Sequence, residues 1–464
     1  MHLDNKQNLE GGSILIFEIV IIFIFSLVVV SVLGNAVIQH RVIRSTVARE
    51  QAFHIAEAGA NYYQWRLAHF PSDFQNGTGQ PGPYVIDYKD TDNQTVIGRY
   101  SLQITPPATG STVVTIRSTG WTLANPNVRR TITTRYGIPS IAKYAFLTNS
   151  DVWIGNTESI NGQLHANGGI RFDGTGNAPI VSAKSTYNCQ SWSGSPCPTT
   201  KPGIWGAAPV STQNYWQFPV PSVDFSSITS DLANIKSQAQ SGGIYLSPSN
   251  AQGYSLVFNS NSTVTVYKVT SLRSDPTGWD INGVAHNEDI DYNGRTLVAT
   301  YPLPTNGVMF VEDRTWVEGT VSGRVLVAAA KLPYNAATAP SILIPNNLTY
   351  TIKDGTVALG LVAQKDILIT YFAPNTLSID AAMIAQNGSA QYYYFPGNLK
   401  TQINIYGSVA SFGVWTWSWV NGSGVTISGF PITNTTYDSN LLYAPPPSFP
   451  LTPSGYQQIT WQSD

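Results

Sequence analysis

Between Ile14 and Ile38 the chain reads ILIFEIVIIFIFSLVVVSVLGNAVI, 25 residues with a single charged side chain, Glu18. A helix rising about 1.5 Å per residue crosses a ~30 Å hydrocarbon core in about 20 residues, so this stretch is long enough to span a bilayer with some tilt. A secretory signal would have a shorter apolar core and a small-residue cleavage site behind it, and this segment has neither. Instead a helical pattern continues through Val42, Ile43, Val47, Phe53, Ile55, Ala56, Ala60, Tyr63 and Leu67, until Pro71 stops it. The spacing predicts one helix over residues 13–70, its first half in lipid and its second half a stalk.

The flanking charges are less simple. A carboxylate within a spanning segment is costly and usually functional, which singles out Glu18. Arg41, Arg44 and Arg49 follow the apolar run, while Lys6 in front of it is offset by Asp4 and Glu10. Counting positive charges would place the body in the cytoplasm, which opposes an extracytoplasmic reading.

The rest of the 464 residues are enough for two or three domains. Charged residues make up only 11%, against roughly 25% in an ordinary soluble domain. Glycine (39), tyrosine (24) and tryptophan (12) are plentiful, which points to extended β structure with many tight turns. A net charge of −2 gives no field to attract nucleic acid. The two cysteines, Cys189 and Cys197, are too few for a structural zinc site; in an oxidising compartment they would close a small loop as a disulfide, and otherwise they are free thiols.

The N-terminal features resemble one family. Gly11-Gly-Ser13, the apolar run with its early Glu18, and AREQAFHIAEAGANYYQWRLA (48–68) with Ala52, Ala56, Glu57, Ala58 and Gly59 are similar to type IV pilin-like proteins, most of all the PilX-like minor pilin N-terminal family. The resemblance covers about 70 residues of the chain. It implies that residues 1–12 are a prepilin leader cut after Gly12, leaving Ser13 as the new, methylated terminus and Glu18 as its sixth residue. In that family a Glu near the new terminus pairs with a neighbouring subunit's amine during assembly. The major-pilin pattern has that Glu fifth, one place from where Glu18 falls.

Beyond a loop over 71–83, alternating runs at Tyr84–Tyr88, Val96–Ile104, Ser111–Gly120 and Arg129–Tyr136 predict a small antiparallel β meander, giving a pilin-like β domain over 71–139. From residue 140 short apolar strings recur: Val325-Leu-Val-Ala328, Gly360-Leu-Val-Ala363, Ala382-Met-Ile-Ala385 and Gly407-Ser-Val-Ala410, the last three spaced by 22 and 25 residues. A fixed period of that length predicts a parallel β-helix over 140–464, with an irregular β-sandwich as the rival. Ser/Pro/Gly-rich 187–222 reads as an insertion, and 223–240, apolar at Phe225, Ile228, Leu232 and Ile235, as a flanking helix. The C-terminus, Pro-rich and then strand-like, reads as an extended finishing segment lying across the surface. The strings Val317–Val325 and Gly360–Ile367 resemble an uncharacterised β-solenoid domain found behind pilin-like N-termini. The fold class is therefore mainly β with a long N-terminal α-helix.

The chemistry-bearing residues form no enzyme signature. Six histidines make no metal or catalytic motif, and no nucleophile elbow or phosphate loop is present. Asp289, Asp291 and Asn293 alternate before Gly294 like half a calcium loop, but the closing Glu is missing, so a solvated acidic turn is the simpler reading. Glu312 and Asp313, as neighbours on a strand, would face opposite sides. Trp415, Trp417 and Trp419 alternate and would share one strand face, as a stacking platform for a glycan or a protein if exposed and as core if buried. The expectation is a membrane-anchored, extracytoplasmic structural or adhesive protein with pilus partners, without cofactor or catalysis. The competing readings are an anchored carbohydrate-active β-helix protein and a plain anchored envelope protein.

Overall fold

A computed structural model describes residues 11–90, 94–226, 231–274, 276–421 and 425–464. Residues 1–10 of the expected leader, and Ile228 of the expected flanking helix, lie outside the described residues. The chain forms two compact units, one running to Pro106 with Val114–Tyr136 and Gln458–Asp464, the other made of Pro107–Val113 and Gly137–Gln457.

The first unit is a long helix against a β-sheet. Helix α1 (Gly11–His69) matches the expected span to within two residues. Arg66 and His69 in its last turn suit the negative end of the helix dipole. As the chain leaves the helix, Arg66 pairs with the Asp73 carboxylate and the Tyr63 hydroxyl donates to the Asp73 carbonyl at 2.8 Å. Strands β1 (Tyr84–Lys89), β2 (Val96–Thr105), β3 (Val113–Thr122) and β4 (Arg130–Gly137) lie in sequence order, with β1–β2 and β2–β3 antiparallel.

The helix meets the sheet through a stripe of mostly small residues. Ala48, Ala52, Ile55, Ala56, Ala60, Tyr63 and Leu67 are buried and recur at three- and four-residue steps. A Cβ at Gly120 on β3 would stand 2.4 Å from both the Ala52 carbonyl oxygen and the Ala56 nitrogen, and one at Gly59 would meet the Ser118 hydroxyl at 2.4 Å. The Ala/Gly-rich motif at 52–60 therefore sets how closely helix backbone and strand backbone approach.

The C-terminus departs from the expectation. Its strand-like end is a strand, but instead of lying across the surface, Gln457–Ser463 adds a fifth strand to the sheet beside β4. The Thr134 hydroxyl donates to the Thr460 carbonyl at 2.9 Å, and the Asp464 amide to the Thr131 carbonyl at 2.9 Å. The solenoid assigned to 140–464 thus gives up its last residues to the first unit.

The second unit is a parallel β-helix whose coils contribute short strands to three faces. On one face the inward column Met309, Val327, Leu361, Met383 and Val409 follows chain order. Phe146, Leu164 and Ile180 then continue the same column. The stack is therefore permuted relative to the sequence. The chain enters in the middle and winds outward through Ile180–Ser182 to Trp216–Gln217. It crosses back to the far end at Ile244–Leu246 and winds inward until Gln402–Ser411 pairs with Phe146–Thr148 and Ile432–Tyr437 with Glu158–Asn161. The expected string alignment is right at Gly360↔Ala382 but one residue off at its two ends, because Val325 pairs with Leu359 and Ala381 with Gly407. Similar strings mark residue type; the pairing follows which side chains turn inward.

Outward side chains on this face are also apolar. Phe310, Ala328, Val362, Ile384, Ala410 and Leu147 are covered by Leu232, Ile235 and Ala239 of the helix Leu232–Gly242 and by Leu441 and Phe449. Strands buried on both sides read as continuous apolar runs, as these do. The helix begins later than expected because Asp231 caps it, accepting the Asn234 amide at 3.0 Å, and Phe225 precedes it. The expected insertion is only partly one. Its hairpin Thr186–Asn188 with Thr200–Pro202 stands apart, but Ile204–Trp205 and Trp216–Gln217 pair with coil strands. Two-residue strands are too short to show a period.

Replacing Gly120 by alanine is expected to force helix and sheet apart and cost about 1–3 kcal/mol. Asn61→Ala, on the exposed side of the same helix, should stay within about 0.5 kcal/mol. Chemical denaturation of both variants in detergent checks this; equal midpoints would contradict the close-approach argument.

Candidate functional site

Along α1 the described side chains from Ile14 to Val47 are all exposed within this chain. Each large apolar side chain among them would gain about 1.5–3 kcal/mol on leaving water, so this surface is suited to burial against an apolar environment. Ile14–His69 contains a window long and apolar enough to cross a membrane. Its small polar groups are compatible with that: the Ser26 hydroxyl donates to the Phe23 carbonyl at 2.7 Å and the Thr46 hydroxyl to the Val42 carbonyl at 3.0 Å. Gly12 and Ser13 lie in the first turn of the helix, and Glu18 is an exposed carboxylate among apolar neighbours.

The tryptophans do not form a single platform. Trp415 belongs to one short strand and Trp419 to another, Ser418–Val420, which hairpins with Thr426–Gly429. Trp415 and Trp417 are buried, their rings perpendicular at 5.9 Å, with Trp415 also 4.3 Å from Phe146. The alternation fails because the chain turns at Trp417 rather than running on as one strand. Trp419 is half-buried, its indole N–H donating to the Tyr392 carbonyl at 2.8 Å.

Trp415 and Trp419 do, however, form part of the lining of a cleft of about 410 Å³, together with Trp153, Trp192, Glu158 and Arg171. Its floor is built by coil stacking. Val152, Ile154, Ile170, Phe172 and Ile204 turn inward, so Trp153, Arg171 and Trp205 turn outward on successive coils. The Arg171 guanidinium lies 4.2 Å from the Trp153 ring and 5.0 Å from the Trp205 ring. It donates through Nε to Asp173 at 2.8 Å and through Nη1 to the Ser193 carbonyl at 2.6 Å. Asp173 also accepts the Trp153 indole N–H at 2.8 Å and the Ala207 amide at 2.7 Å. Glu158, 8% exposed, has one carboxyl oxygen, Oε2, without a hydrogen-bond partner among the described residues. Burial pushes this carboxyl from 4.5 up to about 8, with the Gly155 backbone N–H acting in the opposite direction.

No family model matches the chain, and no curated protein is similar to it. Among solved structures, the competence-associated pilin ComZ from Thermus thermophilus is similar at 13% identity and a TM-score of 0.31, over 90% of this chain and 97% of that one. A superposition that loose does not establish a common fold.

The remaining singled-out residues have structural partners. Cys189 and Cys197 are joined in a disulfide, Cα to Cα 5.6 Å. Buried Asp289 accepts the amides of Tyr371 at 2.9 Å and Phe372 at 3.1 Å. Asp291 instead accepts the Ser271 hydroxyl at 2.9 Å and the Asn293 amide at 3.0 Å, so the two carboxylates serve different loops rather than one centre. Among the described residues no group of three His, Cys, Asp or Glu is placed to hold a metal ion. Glu312 pairs with Lys236 and accepts the Tyr245 hydroxyl, while Asp313 caps Ser249. Glu158, Arg171 and Trp153 were not picked out by sequence reasoning. The strings Val152-Trp-Ile154 and Ile170-Arg-Phe172, laid over one another as inward–outward–inward triplets, carry the signal that finds them.

Between pH 4.5 and about 8 the folded chain keeps a proton on Glu158 that the unfolded chain has released, so this group's contribution to stability falls as pH rises through that window. Glu158→Gln removes the titrating carboxyl. The stability gained by the variant over the native chain should widen from pH 5 to pH 8, by on the order of 1–4 kcal/mol. Thermal unfolding at matched pH values tests this; parallel profiles would refute it.

Proposed function

We propose that this chain is a pilin-like, membrane-anchored surface subunit of a type IV pilus-like system, with a structural and adhesive role and no catalysis. The observation that carries the reading is one continuous helix with two different surfaces. Its first part offers apolar side chains to a membrane or to sister helices, and its second part is built into a β head through small residues. The leader motif ending at Gly12 and the PilX-like string at 48–68 add support from the sequence.

In this reading residues 1–12 are removed and Ser13 becomes the N-terminus. The helix is held in lipid before assembly and against other pilus subunits after it. Glu18 explains itself in the same frame. A carboxylate is tolerated on an apolar helix where it meets a cation, and a neighbouring subunit's terminal amine supplies one. Displayed outside the membrane, the β-helix is a rigid body on a helical stalk, suited to contacting a surface glycan or protein.

N-terminal sequencing of the protein from membranes of its host is expected to begin at Ser13, and Gly12→Leu to leave the leader attached. A membrane-bound chain with Met1 intact would instead make it a plain anchored envelope protein. Recovery of the native chain without detergent would overturn the anchor itself. Glu18→Gln should leave the protein in the membrane but reduce its content in sheared surface fibres.

A further inference from the structure

We propose that the cleft walled by Trp153, Trp192 and Trp419, with Glu158 and Arg171 at its base, is a binding site for a neutral sugar. The proposal does not depend on the pilin-like reading, because every residue of the cleft belongs to the second unit.

Its size falls within the few hundred cubic ångströms of small-molecule sites. The walls are indoles, whose flat apolar faces suit the C–H face of a pyranose, and they come from separate segments: Trp153 from a coil strand, Trp192 from the loop between Thr186–Asn188 and Thr200–Pro202, and Trp419 from Ser418–Val420. The charges are balanced internally. Arg171 is matched by Asp173, whose two oxygens already accept bonds from Arg171, Trp153 and Ala207. An anionic ligand would therefore find no uncompensated cation, and a cationic ligand no spare carboxylate. What is left over is one acid. Glu158 lies at the cleft wall, more than nine-tenths buried, with an enclosed oxygen that none of the described residues satisfies. A buried carboxyl kept in its neutral form both donates and accepts a hydrogen bond, as a vicinal diol does.

The same geometry argues for binding without cleavage. Glycoside hydrolysis uses two carboxyls across the bond, and here the second, Asp173, is locked into the ion pair and the Ala207 amide. The site also lies where the last coil meets the first. Glu158 pairs with Thr433, and Trp415 packs on Phe146, so both sides of this junction contribute to the cleft.

The test uses the full chain in a detergent without a sugar headgroup. It is titrated with a panel of neutral oligosaccharides (maltotriose, cellotriose and diacetylchitobiose) and with one anionic oligosaccharide, followed by tryptophan fluorescence and calorimetry. Saturable binding of a neutral sugar at millimolar or lower concentration, with no cleavage products, is expected. Trp192→Ala and Glu158→Ala should each weaken it about tenfold, whereas Glu158→Gln, which keeps a neutral donor and acceptor, should stay within about threefold. Circular dichroism of each variant separates lost binding from lost folding. Binding of only the anionic sugar, no binding across the panel, cleavage of the sugar, or binding indifferent to Trp192 and Glu158 in folded variants would each overturn the proposal.

Discussion

The second unit depends on one set of backbone hydrogen bonds, those that join its last coil to its first. Gln402–Ser411 pairs with Phe146–Thr148, and Ile432–Tyr437 with Glu158–Asn161. Without this seam the unit would be two shorter stacks, each with an open edge of unpaired strand groups, and such edges invite pairing with other chains. With it, one inward column runs unbroken from Met309 through Val409 to Ile180. The seam is reinforced where the chain enters and leaves the stack. The Ser140 hydroxyl donates to the Leu441 carbonyl at 2.6 Å and the Thr452 amide to the Pro139 carbonyl at 2.8 Å.

A second constraint is that apolar strands with two buried sides need two cores. The interior takes Val325, Val327 and Ala329, and the exterior takes Leu326, Ala328 and Ala330 under the helix Leu232–Gly242 and the segment around Phe449. Chain that crosses from one end of the stack to the other is thereby used as a cover. In the first unit the same economy of space appears differently: alanines and glycines bring α1 so close to its sheet that even a methyl group at Gly120 has no room.

How legible was this in the sequence? The helix was, because a 25-residue apolar run followed by three- and four-residue spacing admits few other structures. The meander was too, since its runs alternate between clear turns. The β-helix showed itself through the repeated Leu-Val-Ala strings, but its register did not. Val325 and Gly360 look equivalent in composition, yet one turns inward where its nominal counterpart does not. The permuted order of coils leaves no trace in a single sequence, because each coil carries the same pattern wherever it stacks. The strand-like character of the final residues, Gln-Gln-Ile-Thr-Trp-Gln-Ser, was legible, but the sheet they join was not, because the strand is exposed along its length and carries no apolar face to assign it. The alternating tryptophans misled because alternation was assumed to mean one strand, and the backbone turns between them. The cleft was missed because its residues are few per coil and become neighbours only by stacking.

The permuted order also has a mechanical side. Linear repeat arrays can be peeled from a free end, one unit at a time, because each unit holds only its neighbours. Here neither extremity of the stack is a chain terminus: both connections leave from the interior, beside the seam. A pull delivered through the polypeptide must first shear several parallel hydrogen-bonded strands at once before any coil is released. A body built this way would resist tension as a single block until it fails abruptly.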